Sequence, residues 1–170
     1  MSWRRSGAAA ILSLAALTGA CGYQPIYGTA PGIAGETVAA ELAQIRVAVI
    51  PNRTGQILRN YLIRSLNPDG RPDRPLYTLN VRVSEVEEDL GIRKDDTATR
   101  ANLVVSANFR LVDRDGQPVT SGTVQTITSY NLLLDQFATL SAERDARDRA
   151  LRQISEDIRT RLALHFNREA

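Results

Sequence analysis

The tightest constraint on this chain lies between Asn102 and Gly116. Leu103, Val105, Ala107, Phe109 and Leu111 alternate with Asn102, Ser106, Asn108 and Arg110, a period of two that marks a strand with one buried and one wet face. The run closes on Asp113-Arg114-Asp115-Gly116, a hairpin turn in which Gly116 is free to take a positive φ. A returning strand is therefore expected from about Val119 to Tyr130. Its inward side is ambiguous, because Ile127 falls opposite to Val124 and Tyr130. Upstream, Tyr77, Leu79, Val81 and Val83 alternate with Thr78, Asn80, Arg82 and Ser84 in the same manner. These three strands read as a meander.

Around the meander the pattern changes period. Ile45, Val47 and Val49 alternate with Arg46 and Ala48 up to Pro51, which predicts a first strand. Ile57, Leu58, Tyr61, Leu62, Ser65 and Leu66 recur at helical spacing, with Asn52 or Thr54 able to cap the helix and Pro68-Asp69-Gly70 ending the run. From about Thr139 to Phe166 an apolar stripe of Ala146, Ala150, Leu151, Ile154, Ile158, Leu162 and Phe166 predicts a long final helix. Its charges pair locally: Glu143/Arg147, Asp145/Arg149, Asp148/Arg152 and Asp157/Arg161 stand four apart with the acid first, each pair worth about 0.2–0.5 kcal/mol. The expected fold is α+β: a four-stranded, mostly antiparallel sheet with two helices packed on one face, in the order β-α-β-β-β-α.

The first 20 residues differ from the rest. Arg4 and Arg5 precede an apolar stretch from Ala8 to Leu17 and the small residues Thr18, Gly19 and Ala20, which is the layout of a secretory signal and too short for a bilayer span. Those two arginines are the whole excess of 21 basic over 19 acidic residues, so the remainder is balanced at 19 against 19. A neutral body argues against nucleic-acid binding, which shows a basic stripe. Cys21 is the only cysteine, so no disulfide can form within one chain. Leu17-Thr18-Gly19-Ala20-Cys21 resembles a bacterial lipobox, whose cysteine is lipidated and becomes residue one of the mature chain. Thr18 stands where that pattern prefers leucine, and Thr-Gly-Ala also suits ordinary signal peptidase, which leaves a soluble periplasmic chain as the alternative. Residues 1–20 are accordingly expected to be a removed signal peptide, 21–40 a lipidated tether rich in Gly and Pro, and 41–168 a single domain.

The inventory for catalysis is thin. His165 is the only histidine and lies near a helix end; no Cys/His cluster has metal-ligand spacing, no Gly-rich phosphate loop follows a strand, and no G-x-S-x-G elbow occurs. Glu85, Glu87, Glu88 and Asp89 form an acidic run without EF-hand spacing, read as a solvated strand end. No enzyme, metal or cofactor is expected. The outward face of the meander, by contrast, carries Thr78, Asn80, Arg82, Ser84, Asn102, Ser106, Asn108 and Arg110, a polar surface whose arginines can grip phosphates in bidentate fashion.

Cys21-Gly22-Tyr23-Gln24-Pro25-Ile26-Tyr27-Gly28, the element order and the stretch Tyr130-Asn131-Leu132-Leu133-Leu134-Asp135-Gln136-Phe137-Ala138-Thr139-Leu140 together resemble the LPS-assembly lipoprotein family LptE in its alphaproteobacterial form. The resemblance implies an outer-membrane lipoprotein on the periplasmic side, anchored through Cys21, that plugs the barrel LptD and assists lipopolysaccharide delivery. Gly22 after the cysteine resembles lipoproteins released to the outer membrane. Arg82, Arg93, Lys94, Arg100 and Arg110 are then candidates for contacting lipid A phosphates, and Leu132, Leu133, Leu134 and Phe137 for packing on the partner or closing the core between strand and helix. The rival reading keeps the anchor and the fold but makes the chain a structural adaptor for peptidoglycan or another envelope complex.

Overall fold

A computed structural model describes residues 33–92 and 98–169. The elements run α1 (Ile33–Ala43), β1 (Ile45–Val47), α2 (Asn52–Leu66), β2 (Tyr77–Ile92), β3 (Ala98–Val112), β4 (Pro118–Asn131) and α3 (Gln136–Glu169). They form one mixed sheet in the order β1-β2-β3-β4. Three-residue β1 pairs parallel with β2, from Ile45↔Tyr77 to Val47↔Leu79. The other neighbours are antiparallel, as a meander requires.

The α+β class therefore stands, with three helices among the described residues against the expected two. The addition, α1, starts inside the stretch read as tether. Its apolar residues follow no single stripe, yet Val38 and Leu42, one turn apart, are buried. It packs on α3, and at its end the buried Asn67 side chain donates from Nδ2 to the Ala43 carbonyl at 3.0 Å. Helix α2 opens differently from the expectation too. Pro51 occupies the N-cap position and no side chain caps the helix, while Asn52 takes φ 68°, a left-handed conformation that Asn tolerates better than most residues. At the end of β1, Arg59 donates from Nε to the Ala48 carbonyl at 3.1 Å and from Nη2 to the Val47 carbonyl at 3.3 Å. Those bonds satisfy carbonyls that the short strand leaves unpaired.

One face of the sheet is covered by the helices. Leu79, Val105, Ala107 and Leu111 are fully shielded there beneath Leu151, Ile154, Ile158 and Leu162 of α3 and Leu58 and Leu62 of α2. Tyr77 closes one end against Phe166, ring centroids 5.3 Å apart. Strand β2 extends well past the expected Ser84, so the acidic run lies within its far half, where Glu87 and Glu88 are exposed as a solvated strand end requires. Glu85 faces the helices and accepts from Arg147 Nε at 3.0 Å, while Arg147 also donates to Glu143 at 2.5 Å. Glu87 accepts from the Tyr130 hydroxyl across β3. At the β3–β4 turn Asp113 Oδ1 accepts from the Asp115 and Gln117 amides at 2.9 and 2.8 Å, and Gly116 has φ 79°, as the hairpin chemistry predicts.

Candidate functional site

Among the described residues the other sheet face carries no helix, and strand parity decides what stands on it. Asn80↔Arg110, Arg82↔Asn108, Ser84↔Ser106, Val86↔Val104 and Glu88↔Asn102 pair across β2 and β3 on this side. Beta4 adds Ser121, Thr123, Gln125, Ile127 and Ser129. Polar pairs are knitted laterally: Thr123 donates from its hydroxyl to Asn108 Oδ1 at 2.6 Å and Ser129 to Asn102 Oδ1 at 2.7 Å. These bonds hold the amides in place, so the surface is preorganised rather than loose.

The open face is graded along the strands. At the end nearest β1, Arg82 and Arg110 are exposed on neighbouring rows, and β1 brings Arg46 beside them, its Nη2 donating to Thr78 Oγ1 at 3.3 Å. No acidic residue stands on the strand positions of that end, so the three cations are not neutralised within the face. Beyond an intervening polar row, Ser84, Ser106 and Gln125, comes an apolar row, Val86, Val104 and Ile127, side by side on three strands. Val104 is buried between its neighbours, while Val86 and Ile127 are 56% and 60% exposed. This resolves the ambiguity of β4: Ile127 faces out, Val124 and Tyr130 face the helices.

Among the basic residues singled out from sequence, Arg82 and Arg110 are thus brought together. Arg100 lies on the same face ten residues along β3 from Arg110, roughly 34 Å away in an extended strand. Arg93 and Lys94 lie outside the described residues, as does Cys21. Arg46 was missed because nothing local in Ile45-Arg46-Val47 tells which neighbour it meets; only the register Arg46↔Thr78 does. The apolar row was missed for the same reason, each member coming from a different strand.

A second feature sits between β4 and α3. Leu133, Leu134 and Phe137 are 52%, 102% and 85% exposed, so they do not close the core; Leu132 is half-buried. The connection is nonetheless shaped. Asp135 Oδ1 accepts from the Phe137 amide at 2.8 Å, and Thr139 Oγ1 accepts from the Leu133 amide at 2.8 Å. Phe137 and Leu140 line a shallow groove with Gln136, Thr139 and Glu143.

Between α2 and α3 lies a polar seam. Tyr61 donates to Asp148 at 2.5 Å with the Arg64 and Arg152 guanidinium groups 5.1 and 5.7 Å from its ring. The Tyr61 bond, and secondarily Arg152, hold the Asp148 carboxyl below its ordinary value against the opposing effect of partial burial. These groups are satisfied by one another, which is the pattern of a structural tie. Among the described residues no three His, Cys, Asp or Glu side chains gather as a metal site, and no helix is long and apolar enough to cross a membrane.

The comparison with protein families decides the identity. The lipopolysaccharide-assembly family LptE matches residues 42–162. The chain belongs to the LptE family. Solved structures agree on the fold. A Caulobacter crescentus protein described as a candidate lipoprotein superposes with a TM-score of 0.64 at 24% identity, covering 76% of this chain and 95% of its own. The minor lipoprotein of Acinetobacter baumannii gives 0.53 at 16% identity over 72% and 92% of the two chains. The rare lipoprotein B of Shewanella oneidensis gives 0.55 at 9% identity over 70% and 92%. No curated protein matches the chain. As an LptE-family member it is a lipopolysaccharide-assembly lipoprotein by kind, and assembly rather than catalysis is the family's role. The family match begins at Leu42, so it takes in the whole sheet, α2 and most of α3.

Proposed function

We propose that this LptE-family chain is an outer-membrane lipoprotein, tethered by a lipidated Cys21 on the periplasmic side, that docks in the lumen of the LptD barrel and assists lipopolysaccharide transport to the cell surface. The observation that carries the reading is the graded open face. Three arginines, Arg46, Arg82 and Arg110, stand toward one end of the face, and the row Val86, Val104 and Ile127 lies further along it, four residues or roughly 13 Å beyond Arg82. A glycolipid with phosphates beside acyl chains needs that order of groups, since Arg meets phosphate in a bidentate manner and aliphatic side chains meet methylenes. The polar, laterally bonded remainder of the face suits the wet interior of a wide barrel. Leu133, Leu134 and Phe137 supply an apolar knob for a pocket on that barrel, the kind of anchor that dominates protein interfaces.

The test separates the two surfaces. Capture of LptD by the tagged, full-length chain should fall at least tenfold for Leu134→Ser/Phe137→Ser and stay unchanged for Arg82→Ala/Arg110→Ala. Binding of purified lipopolysaccharide should show the opposite pattern. The reading fails if depletion of the chain leaves surface lipopolysaccharide normal, or if no outer-membrane barrel is captured. An intact mature mass without acyl chains on Cys21 would remove the anchor from it.

A further inference from the structure

The two outer edges of the sheet are guarded very unequally. On one side β1 has three residues, and where β2 runs on beyond it the strand carries Arg82, Glu85, Glu87, Glu88 and Asp89. Short edge strands and edge charges are how sheets avoid pairing with other chains. On the other side β4, an edge strand among the described residues, spans 14 residues, Pro-Val-Thr-Ser-Gly-Thr-Val-Gln-Thr-Ile-Thr-Ser-Tyr-Asn, without one charge. Its only proline, Pro118, is its first residue, and the register irregularity lies at that same end. From Thr120 to Asn131 the edge is regular and neutral, and no described strand pairs with it. The apolar row of the open face also ends there, on Ile127, 60% exposed.

We infer that the free edge of β4 pairs antiparallel with β4 of a second copy of this chain, about a dyad through Ile127, joining two four-stranded sheets into one of eight strands.

Three properties of the strand select that occupant and that register. A strand without charge is self-complementary, since no pairing of it with itself opposes like charges. With the dyad at Ile127, residues whose numbers sum to 254 face each other, and every opposed pair matches in kind: Ile127 meets Ile127 of the partner subunit, Thr126 meets Thr128, Gln125 meets Ser129, and Val124 meets Tyr130. The last is an aromatic against β-branched pair, among the favourable cross-strand combinations. Sliding the dyad one residue either way leaves each Ile127 opposite Gln125 or Ser129, sliding it two leaves each opposite Thr123 or Asn131, and every such slip separates Val124 from Tyr130. The apolar row then becomes continuous over six strands instead of ending in water. A dyad normal to the sheet keeps the helices on one side, and α3 lies over β3 and β4. The two copies of α3 come about two strand spacings, roughly 10 Å, apart, the upper end of the helix packing range.

The inference goes beyond the proposed function and does not depend on it, so it is tested on the protein alone. The full chain carrying Cys21→Ser, which has no thiol, is measured by sedimentation velocity from about 5 to 500 μM. It should shift from monomer to dimer over that range. Ile127→Lys and Ile127→Glu should each stay monomeric, and an equimolar mixture of the two should recover a dimer, because the substituted positions face each other. In the same Cys21→Ser chain, Ile127→Cys should form a disulfide dimer on mild oxidation. Gln125→Cys should not, its two sulfurs lying roughly 13 Å apart along the strands, beyond disulfide reach. A chain that is monomeric at every concentration overturns the inference. So does equal cross-linking at 125 and 127, or a dimer that survives Ile127→Lys. Cross-linking of Ile127→Cys to a different protein in cells, with none to itself, would also overturn it.

Discussion

Replacing Gly55 with alanine tests how tightly α2 sits on the segment that precedes it. In an exposed helix interior the change would stabilise by about 1 kcal/mol, because alanine loses less backbone entropy. Gly55 is buried, and a Cβ there would lie 2.6 Å from Ile50 Cγ2 and 3.1 Å from the Ile50 carbonyl carbon. Ile50 is 1% exposed and β-branched, so neither its position nor its rotamer can yield cheaply. Overpacking of this severity belongs at the upper end of the usual 1–3 kcal/mol. Setting about 3 against about 1 leaves Gly55→Ala destabilising by about 2 kcal/mol, a fall in melting temperature of about 4–8 °C for a domain of this size. Thermal unfolding followed by circular dichroism reads this directly. Ile50→Ala deletes the obstructing Cγ2 and costs about 2–5 kcal/mol by itself; in that background the carbonyl carbon and Cβ of residue 50 still stand 3.1 Å from the new Cβ, so Gly55→Ala should cost clearly less than in wild type. A rise in melting temperature for Gly55→Ala in the wild-type background, or an equal effect in both backgrounds, would refute the reasoning.

Two further outcomes follow from the packing and the polar seam. The Asp148 carboxyl is held below its ordinary value by the Tyr61 hydroxyl and then Arg152, so its contribution is present above the unfolded value of about 4 and is lost as the pH falls toward the folded one. Wild type should therefore melt above Asp148→Asn at pH 6 with the gap closing below about pH 4, whereas a gap that is constant from pH 6 to pH 3 would mean that charge plays no part. Leu162→Ala, at a fully shielded position beneath the sheet, should cost about 2–5 kcal/mol in urea unfolding, while Leu134→Ala, wholly exposed, should change stability by less than about 0.5 kcal/mol.

The parts of the fold that were legible are those stabilised by their own periodicity. Leu103 to Leu111 alternate because one side of β3 meets the helices along its whole length, and the apolar stripe of α3 is written just as openly. Legibility ended where a residue's partner is distant in sequence. Beta2 appeared to stop at Ser84 because Glu85 and Glu87 interrupt the apolar side, yet each is bonded to a group far along the chain, Arg147 and Tyr130. Helix α1 carried no stripe because two buried side chains, Val38 and Leu42, suffice to seat it. Of the candidate site, parity alone put Arg82 and Arg110 on the open face. That Arg46 joins them, and that Val86, Val104 and Ile127 line up, depends on registers between residues far apart in sequence, such as Arg46↔Thr78, about which composition and spacing are silent.

The carboxylates that hid the length of β2 also explain why its edge and that of β4 behave differently. A strand can lie at an edge safely if its inward positions include charges whose counter-charges the fold itself supplies. Glu85 qualifies, because Arg147 of α3 reaches it from above and is in turn held by Glu143; burial works against the guanidinium's charge, but the two carboxylates outweigh it and raise its pKa. Docking a foreign strand against β2 would have to bury Glu87 and Glu88 as well, at a desolvation cost that no uncharged strand repays. Beta4 has no such group. Its covered face holds Val124, Thr126, Thr128 and Tyr130, and its open face Thr123, Gln125, Ile127 and Ser129, all of which gain or lose little on meeting another neutral strand. An acidic edge closed by its own helix and a neutral edge left available are thus two consequences of one arrangement: α3 crosses the sheet so that its cationic side chain falls on β2, which leaves β4 needing no charge to fold and carrying none to keep other strands away.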